Sequence, residues 1–400
     1  MKAIGLIGAV ACLVCACTAN GPLVASQSPT PTLTPSPVAS PSPSPSPSPT
    51  PPARTVQCVT TPSGGPIVLI GRAIYDVTDP VRPMLLCRFV SAPVHLYPAY
   101  TLSFLRDAPG GAEVMHHSMT DGSDTVASSI PLPMLNPAWG GAGAWTPDGS
   151  AGATTIQTMD AAGNAAIQVW LYSQRKSTAL YSFPQPLTDC VCRFGLPRPI
   201  LAFSADGQYL VSGWPIGKGA TPAVVWRVSD RVRVATLDIN ATFAAWDWKG
   251  HRLFVSGMSG SQTWTPEGGF VPLKGAKQWT YEAGVAPAGA QVAYSAYTDA
   301  ATPTSLRVWI YDVASDTTRL VVDKLRSEVV FVEPGWVWYQ EEAPCDPMQP
   351  GCGPWGTAPT GEVFAMNLAI GVERSVYFLP GQSPFALNSG WGPAEFWPNT

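Results

Sequence analysis

The sequence predicts an all-β domain made of repeated four-stranded units, and three observations predict it. A short hairpin is written several times: "GAWTPDGSAGATT" from 143, "LAFSADGQYLVSG" from 201, "AAWDWKGHRLFVSG" from 244 and "GVAPAGAQVAYSA" from 284. A Trp-bearing apolar run follows three of these hairpins at a near-constant offset: "IQVWLYS" with Trp170, "AVVWRVSD" with Trp226 and "LRVWIYD" with Trp309. The period is roughly 40–45 residues, the length of a four-stranded blade that must stack on its neighbours to bury both faces. The expected architecture is a single closed β-propeller. Seven blades are expected, with six as the alternative.

The N-terminus comes first. "MKAIGLIGAVACLVCAC" has one Lys and then an apolar run from Ala3 to Ala16. At about 1.5 Å per residue this run is too short for a hydrocarbon core of roughly 30 Å, so a signal peptide is expected over 1–16. Val14-Cys15-Ala16-Cys17 resembles a bacterial lipobox, although Val stands where that family usually has Leu. The resemblance implies cleavage before Cys17, lipid attachment to Cys17, and a location at the cell envelope, on the outer face of the cytoplasmic membrane or at the cell surface. Residues 18–53 form a Ser/Thr/Pro tract with almost no large apolar side chains. Such a tract cannot bury enough surface to fold and favours extended polyproline II, so residues 17–53 are expected to tether a domain spanning 54–400.

Residues 54–142 have room for two blades. Tyr75-Asp76 in "PIVLIGRAIYDVTDPVRPMLLCRFV" matches Tyr311-Asp312, and "YTLSFLRD", "AEVMHHSM" and "TVASSIP" supply three more strands. Five units follow, marked by Gly149, Gly207, Gly250, Gly289 and Gly335. Asp-Gly supplies the positive φ that a tight hairpin needs. Trp145, Phe203 and Trp246 share one slot, where a large ring can pack between blades. The fourth unit is short, with Trp264 as its strand marker. The fifth is long, with Phe364 displaced by "EEAPCDPMQPGCGPWGTAPTG" at 341–361. The C-terminal "SGWGPAEFWPNT" is placed to complete the ring on the first blade, which removes exposed edges.

The hairpins "FSADGQYLVSG" and "WTPDGS" resemble those of TolB-type and WD40-like bacterial propellers. The likeness covers 143–378, and it implies the fold. The units with "DWKG" and "APAG" depart from the hairpin consensus, and no counterpart of TolB's N-terminal domain precedes them. TolB's partners are therefore not implied.

Charge narrows the partners. Lys+Arg number 23 against Asp+Glu 27, a net charge of −4, and charged residues are only 12% of the chain. Without a basic stripe, nucleic acid is not an expected partner, and membrane contact is expected through the lipid alone. A monomer is expected.

Six cysteines lie outside the signal, and an even number in an exported chain favours disulfides, with fifteen connectivities open. Cys345 and Cys352 flank the insert and are paired. Cys58 and Cys87 share the first blades and are paired. Cys190 and Cys192 remain, as a structural loop bridge or a redox or metal pair. His116 and His117 are adjacent and would face opposite ways on a strand. His251 follows a hairpin Gly and reads as a turn residue. No zinc-protease, nucleophile-elbow, phosphate-loop or EF-hand motif occurs in the chain. The sequence therefore assigns no catalytic residue, no metal ligand and no cofactor.

Two functions compete: a non-enzymatic module holding a protein or glycan partner, and an envelope enzyme, glycan-active or oxidoreductase, with its site in the propeller channel. Loops that depart from a repeat are free of its packing duties. The expected partner-binding loop is therefore the 341–361 insert, with Glu341, Glu342, Asp346 and Trp355.

Overall fold

The computed structural model describes residues 56–397 with internal gaps, the longest at 132–142, 185–199, 276–282 and 381–394. The signal, Cys17, the tether, Cys190, Cys192, His251 and Trp355 lie outside the described residues.

Seven antiparallel sheets form seven blades. Blade 1 contains β1 (Val56–Cys58), β2 (Ile67–Ile70), β3 (Ala73–Asp76) and β4 (Met84–Phe89). Blade 2 contains β5 (Val94–Tyr97), β6 (Thr101–Ala108), β7 (Gly111–Ser118) and β8 (Asp124–Ile130). Blade 3 runs β9 (Gly143–Trp145), β10 (Ala151–Met159), β11 (Ala165–Ser173) and β12 (Lys176–Pro184). Blade 4 runs β13 (Ile200–Phe203), β14 (Tyr209–Trp214), β15 (Thr221–Arg227) and β16 (Val232–Thr236). Blade 5 has β17 (Ala241–Trp246), β18 (Leu253–Gly257), β19 (Gly260–Thr265) and β20 (Gly269–Pro272). Blade 6 has β21 (Ala283–Val285), β22 (Gln291–Tyr297), β23 (Leu306–Asp312) and β24 (Thr317–Val322). Blade 7 has β25 (Arg326–Glu333), β26 (Trp336–Pro344), β27 (Thr357–Asn367) and β28 (Val372–Ser375), and β29 (Glu395–Trp397) follows.

In blades 2–7 the strands pair in chain order. Blade 1 differs: its order is β1-β4-β3-β2-β29. The last strand of the chain thus supplies the innermost strand of the first blade, with Val68 opposite Phe396. This is the closure expected of the C-terminal segment. β1 adds a fifth, outermost strand, with Cys58 directly opposite Cys87 and bonded to it.

The core lies between blades. Adjacent strand residues point to opposite faces, so each central strand feeds two interfaces and reads as a continuous apolar run. Leu210 packs with Ala153 and Leu171 of blade 3, whereas Val211 packs with Trp246 and Leu253 of blade 5. In blade 1, Ile74 packs with Leu102 and Met115 of blade 2, and Tyr75 packs with Trp338 and Val363 of blade 7. A buried cluster occupies each of the seven junctions, the last joining blade 7 to blade 1, so the ring is closed.

The shared aromatic slot on the inner strands has the role expected of it. Trp145 is buried against Val114 and Ile130 of blade 2 and donates its indole N–H to Ser103 Oγ at 2.9 Å. Trp246 donates to the carbonyl of Ala202 in blade 4 at 3.0 Å. Trp170, Trp226, Trp264, Trp309 and Phe364 all fall on the third strand of their blades.

Hairpin chemistry explains the repeated Asp-Gly. Gly149 and Gly207 both sit at φ +70°, and each closes its turn by donating to the carbonyl of Thr146 or Ser204. Asp148 and Asp206 accept from the backbone N–H two residues on. A second constraint is invisible in the sequence: a Cβ on Gly149 would lie 2.1 Å from Ser128 Oγ of blade 2, and one on Gly207 2.7 Å from Thr146 Cγ2 of blade 3. These glycines serve the turn and the close approach of the neighbouring blade together.

Candidate functional site

The 341–361 insert takes in the outer ends of β26 and β27 and the connection between them. Arg326 at the start of β25 pairs with Glu341, and β28 pairs only with Phe364–Asn367 of β27. Beyond Glu341 the pairing of Glu342 with Pro359, Ala343 with Ala358 and Pro344 with Thr357 is therefore a two-stranded arm without a flanking strand among the described residues. The Cys345–Cys352 disulfide braces its tip, and Cys345 donates its N–H to the carbonyl of Gly356 at 2.9 Å. Asp346 holds the tip turn, accepting from the N–H of Met348 at 2.9 Å. Met348 is 78% exposed, so the arm carries an apolar side chain into solvent.

A bulge forms the root of the arm. Between Gln340–Val363 and Glu342–Pro359 the register slips, leaving Glu341 opposite residues 360–362, and Gly361 takes φ +88° there. Within the bulge Thr360 donates its hydroxyl to Glu341 Oε2 at 3.1 Å. Arg326, with a side chain only 5% exposed, donates from Nη1 to Glu341 Oε1 at 2.9 Å and from Nη2 to Glu373 Oε1 at 3.4 Å. Its guanidinium also lies 4.3 Å over the Phe364 ring. Lys324 pairs with Glu373 Oε2 at 2.5 Å, and the Tyr339 hydroxyl donates to Glu373 Oε1 at 3.2 Å.

Burial works to raise the Glu373 carboxyl, but Lys324, Arg326 and the Tyr339 hydroxyl outweigh it and hold it below the ordinary carboxylate range. Glu342 goes the other way. Burial pushes it up, and the hydroxyls of Ser327 and Thr357 pull it only part of the way back. Ser327 donates to Glu342 at 2.5 Å.

Of the residues expected at this site, Glu341 is engaged by Arg326 and Thr360, Glu342 by Ser327, and Asp346 shapes the tip turn. Glu341 and Glu342 are thus held apart in separate contacts. The sequence reading missed Arg326, Lys324 and Glu373. An Arg in the apolar segment "LVVDKLRSEVVFV" was the available signal, because a cation entering a buried strand demands carboxylate partners. Among the described residues no group of three or more His, Cys, Asp or Glu is placed to hold a metal ion.

The fold and this site define a seven-bladed β-propeller with a braced arm on blade 7. No protein-family model and no curated protein matches the chain. Among solved structures it is similar to a prolyl endopeptidase, at 11% identity over 80% of this chain and 49% of that one, with a TM-score of 0.45. It is also similar to TolB from Acinetobacter baumannii, at 12% identity over 78% of this chain and 63% of that one, with a TM-score of 0.34. The β-propeller domain of the Trilobed protease from Pyrococcus furiosus matches at 10% identity over 72% of this chain and 84% of that one, with a TM-score of 0.40. The chain spans about half the length of the prolyl endopeptidase and of the Pyrococcus horikoshii acylaminoacyl peptidase that it also matches. The propeller assignment rests on the chain's own strand pairing and its seven buried junctions.

Proposed function

We propose that this protein is a non-enzymatic binding module of the bacterial cell envelope, anchored by lipid on Cys17 and holding a protein or glycan partner at the arm of blade 7. The observation that carries the reading is the arm itself. In it a strand pair runs beyond its flanking strands, it is braced by Cys345–Cys352, and it presents exposed Asp346 and Met348. A loop already ordered by a bridge and by the Arg326–Glu341 contact loses less entropy on binding than a free one. The Pro-rich tract suits a spacer between the lipid and the propeller, and the two disulfides suit an oxidising compartment.

The test deletes residues 344–354, joins the ends with Gly-Gly, and compares capture from detergent-solubilised envelope and on a glycan array. Unchanged melting with lost capture is expected. Equal capture by the two proteins would refute the arm as the binding site. For the anchor, Cys17→Ala is expected to move the protein from the detergent phase to the aqueous phase; continued partition into detergent after signal removal rejects the lipid.

A further inference from the structure

The junction of blades 1 and 2 carries an arrangement independent of the arm. Cys58 lies on β1, exposed at the outer edge of blade 1, and its disulfide partner Cys87 is fully buried. His117, on β7 of blade 2, is 4% exposed, and its two ring nitrogens point at two different partners. Nδ1 lies 2.7 Å from Asp124 Oδ1, and Nε2 lies 3.4 Å from Cys58 Sγ. An ionised carboxylate only accepts hydrogen bonds, so Nδ1 carries the proton, and in the neutral ring the Nε2 lone pair faces the sulfur. Asp124 sits directly opposite His117 in the β7–β8 register, which fixes the ring. The neighbouring cations do not share the pocket. Arg88 follows Cys87 on β4, on the opposite face of the strand, and His116 points away from His117. The Leu102 opposite His117 on β6 is apolar and buried.

We propose that Cys58–Cys87 is an exchangeable disulfide, and that once it is opened Cys58 is a nucleophilic thiolate served by His117 and Asp124, with dithiols and disulfides as its stoichiometric exchange partners. In the opening direction a dithiol supplies two electrons and two protons. Its thiolate attacks Cys58 Sγ, the Cys58–Cys87 bond breaks, and Cys87 leaves and takes up a proton. The second thiolate of the reductant then attacks its own sulfur in the mixed disulfide and expels Cys58, leaving the reductant as a cyclic disulfide. The remaining proton is shared between Cys58 and His117 Nε2, where Asp124 stabilises the imidazolium. In the closing direction the Cys58 thiolate attacks an external disulfide, and Cys87 resolves the mixed disulfide. Cys58, an exposed residue at the blade edge, and the fully buried Cys87 suit the attacking and resolving roles.

The test reduces the folded, full-length protein with dithiothreitol and follows alkylation of the Cys58 peptide by iodoacetamide against pH, using mass spectrometry. The alkylation midpoint is expected at least about one pH unit below the ordinary thiol value of about 8.5. His117→Gln is expected to return it to the ordinary range and to slow alkylation at pH 7 about tenfold. Asp124→Asn, at a half-exposed side chain, keeps the test open if His117→Gln does not fold, and is expected to shift the midpoint the same way by a smaller step. A disulfide that dithiothreitol does not open in the folded protein overturns the proposal. So does a wild-type midpoint at or above 8.5, or one that the variants leave unmoved.

Discussion

Arg326 shows how a single side chain holds two structures together. It joins the bulge at the arm's root to Glu373 on the outermost strand of the same blade, at 5% side-chain exposure. Replacing it removes the cation that meets Glu341 within a buried ion group, while Glu373 keeps Lys324. Arg326→Met is therefore expected to cost about 3 kcal/mol, read by urea unfolding; a loss under about 0.5 kcal/mol would show the contacts to be ornamental. Asp76 makes a second case. Burial raises its carboxyl, but hydrogen bonds from the hydroxyls and N–H groups of Ser63 and Thr78 outweigh it and hold it below the usual value. Because its folded pKa is depressed, the unfolded chain binds the proton more readily. Its contribution is present above the unfolded value of about 3.9 and is lost as pH falls through the folded value. Thermal melts between pH 6 and pH 2 should show a shallower acid decline for Asp76→Asn than for the wild type. Parallel curves would remove Asp76 from the acid limb. Asp76 was visible in the sequence only as a repeat position; its Ser63 partner comes from an irregular connection that no period marks.

At the scale of elements, the arm and the blade junctions answer to different forces. The arm's order is local. Its bridge closes a loop with a sequence separation of 7 between the cysteines, and neither cysteine belongs to a buried junction cluster. Cys345→Ser with Cys352→Ser is expected to leave the melting of the propeller nearly unchanged while a broad-specificity protease cuts within 345–356 much faster. Equal cleavage rates would show that the bulge and strand pairing order the arm without the bridge. A junction responds globally. Trp338 is fully buried between blades 7 and 1, edge-on to Tyr75, and donates to the carbonyl of Pro80 at 2.9 Å. Trp338→Ala creates a cavity and strands that carbonyl, so a loss of about 3–5 kcal/mol is expected in the same unfolding experiment. The repeated hairpins and third strands were legible because they follow a period. β5, which carries His95, was not, because its four residues lie outside any hairpin signature.

Across the whole molecule, three residues near the C-terminus complete the inner edge of blade 1. β29 covers the inner edge of β2, and without it blade 1 presents an unpaired strand towards the channel. Removing residues 395–400 should lower the melting temperature and promote association, followed by light scattering during the melt. A truncated chain that melts unchanged and stays monomeric would show that the seven junctions hold the ring unaided.

By itself the sequence determined the blade. Hairpin turns, alternating faces and the offset to the third-strand Trp are set by contacts within a few tens of residues, so each unit writes its own pattern, and four or five copies reveal the period. The C-terminal segment likewise announced the ring closure, and the cysteine pairs 58–87 and 345–352 were legible because the first share the N-terminal blades and the second flank one insert. Only the tertiary structure decided which residues meet across junctions: Trp338 with Pro80, 258 positions apart, and His117 with Cys58. Those meetings depend on the angle between neighbouring blades and on closing the ring. No local pattern encodes that angle, because it emerges from the packing of seven buried clusters at once.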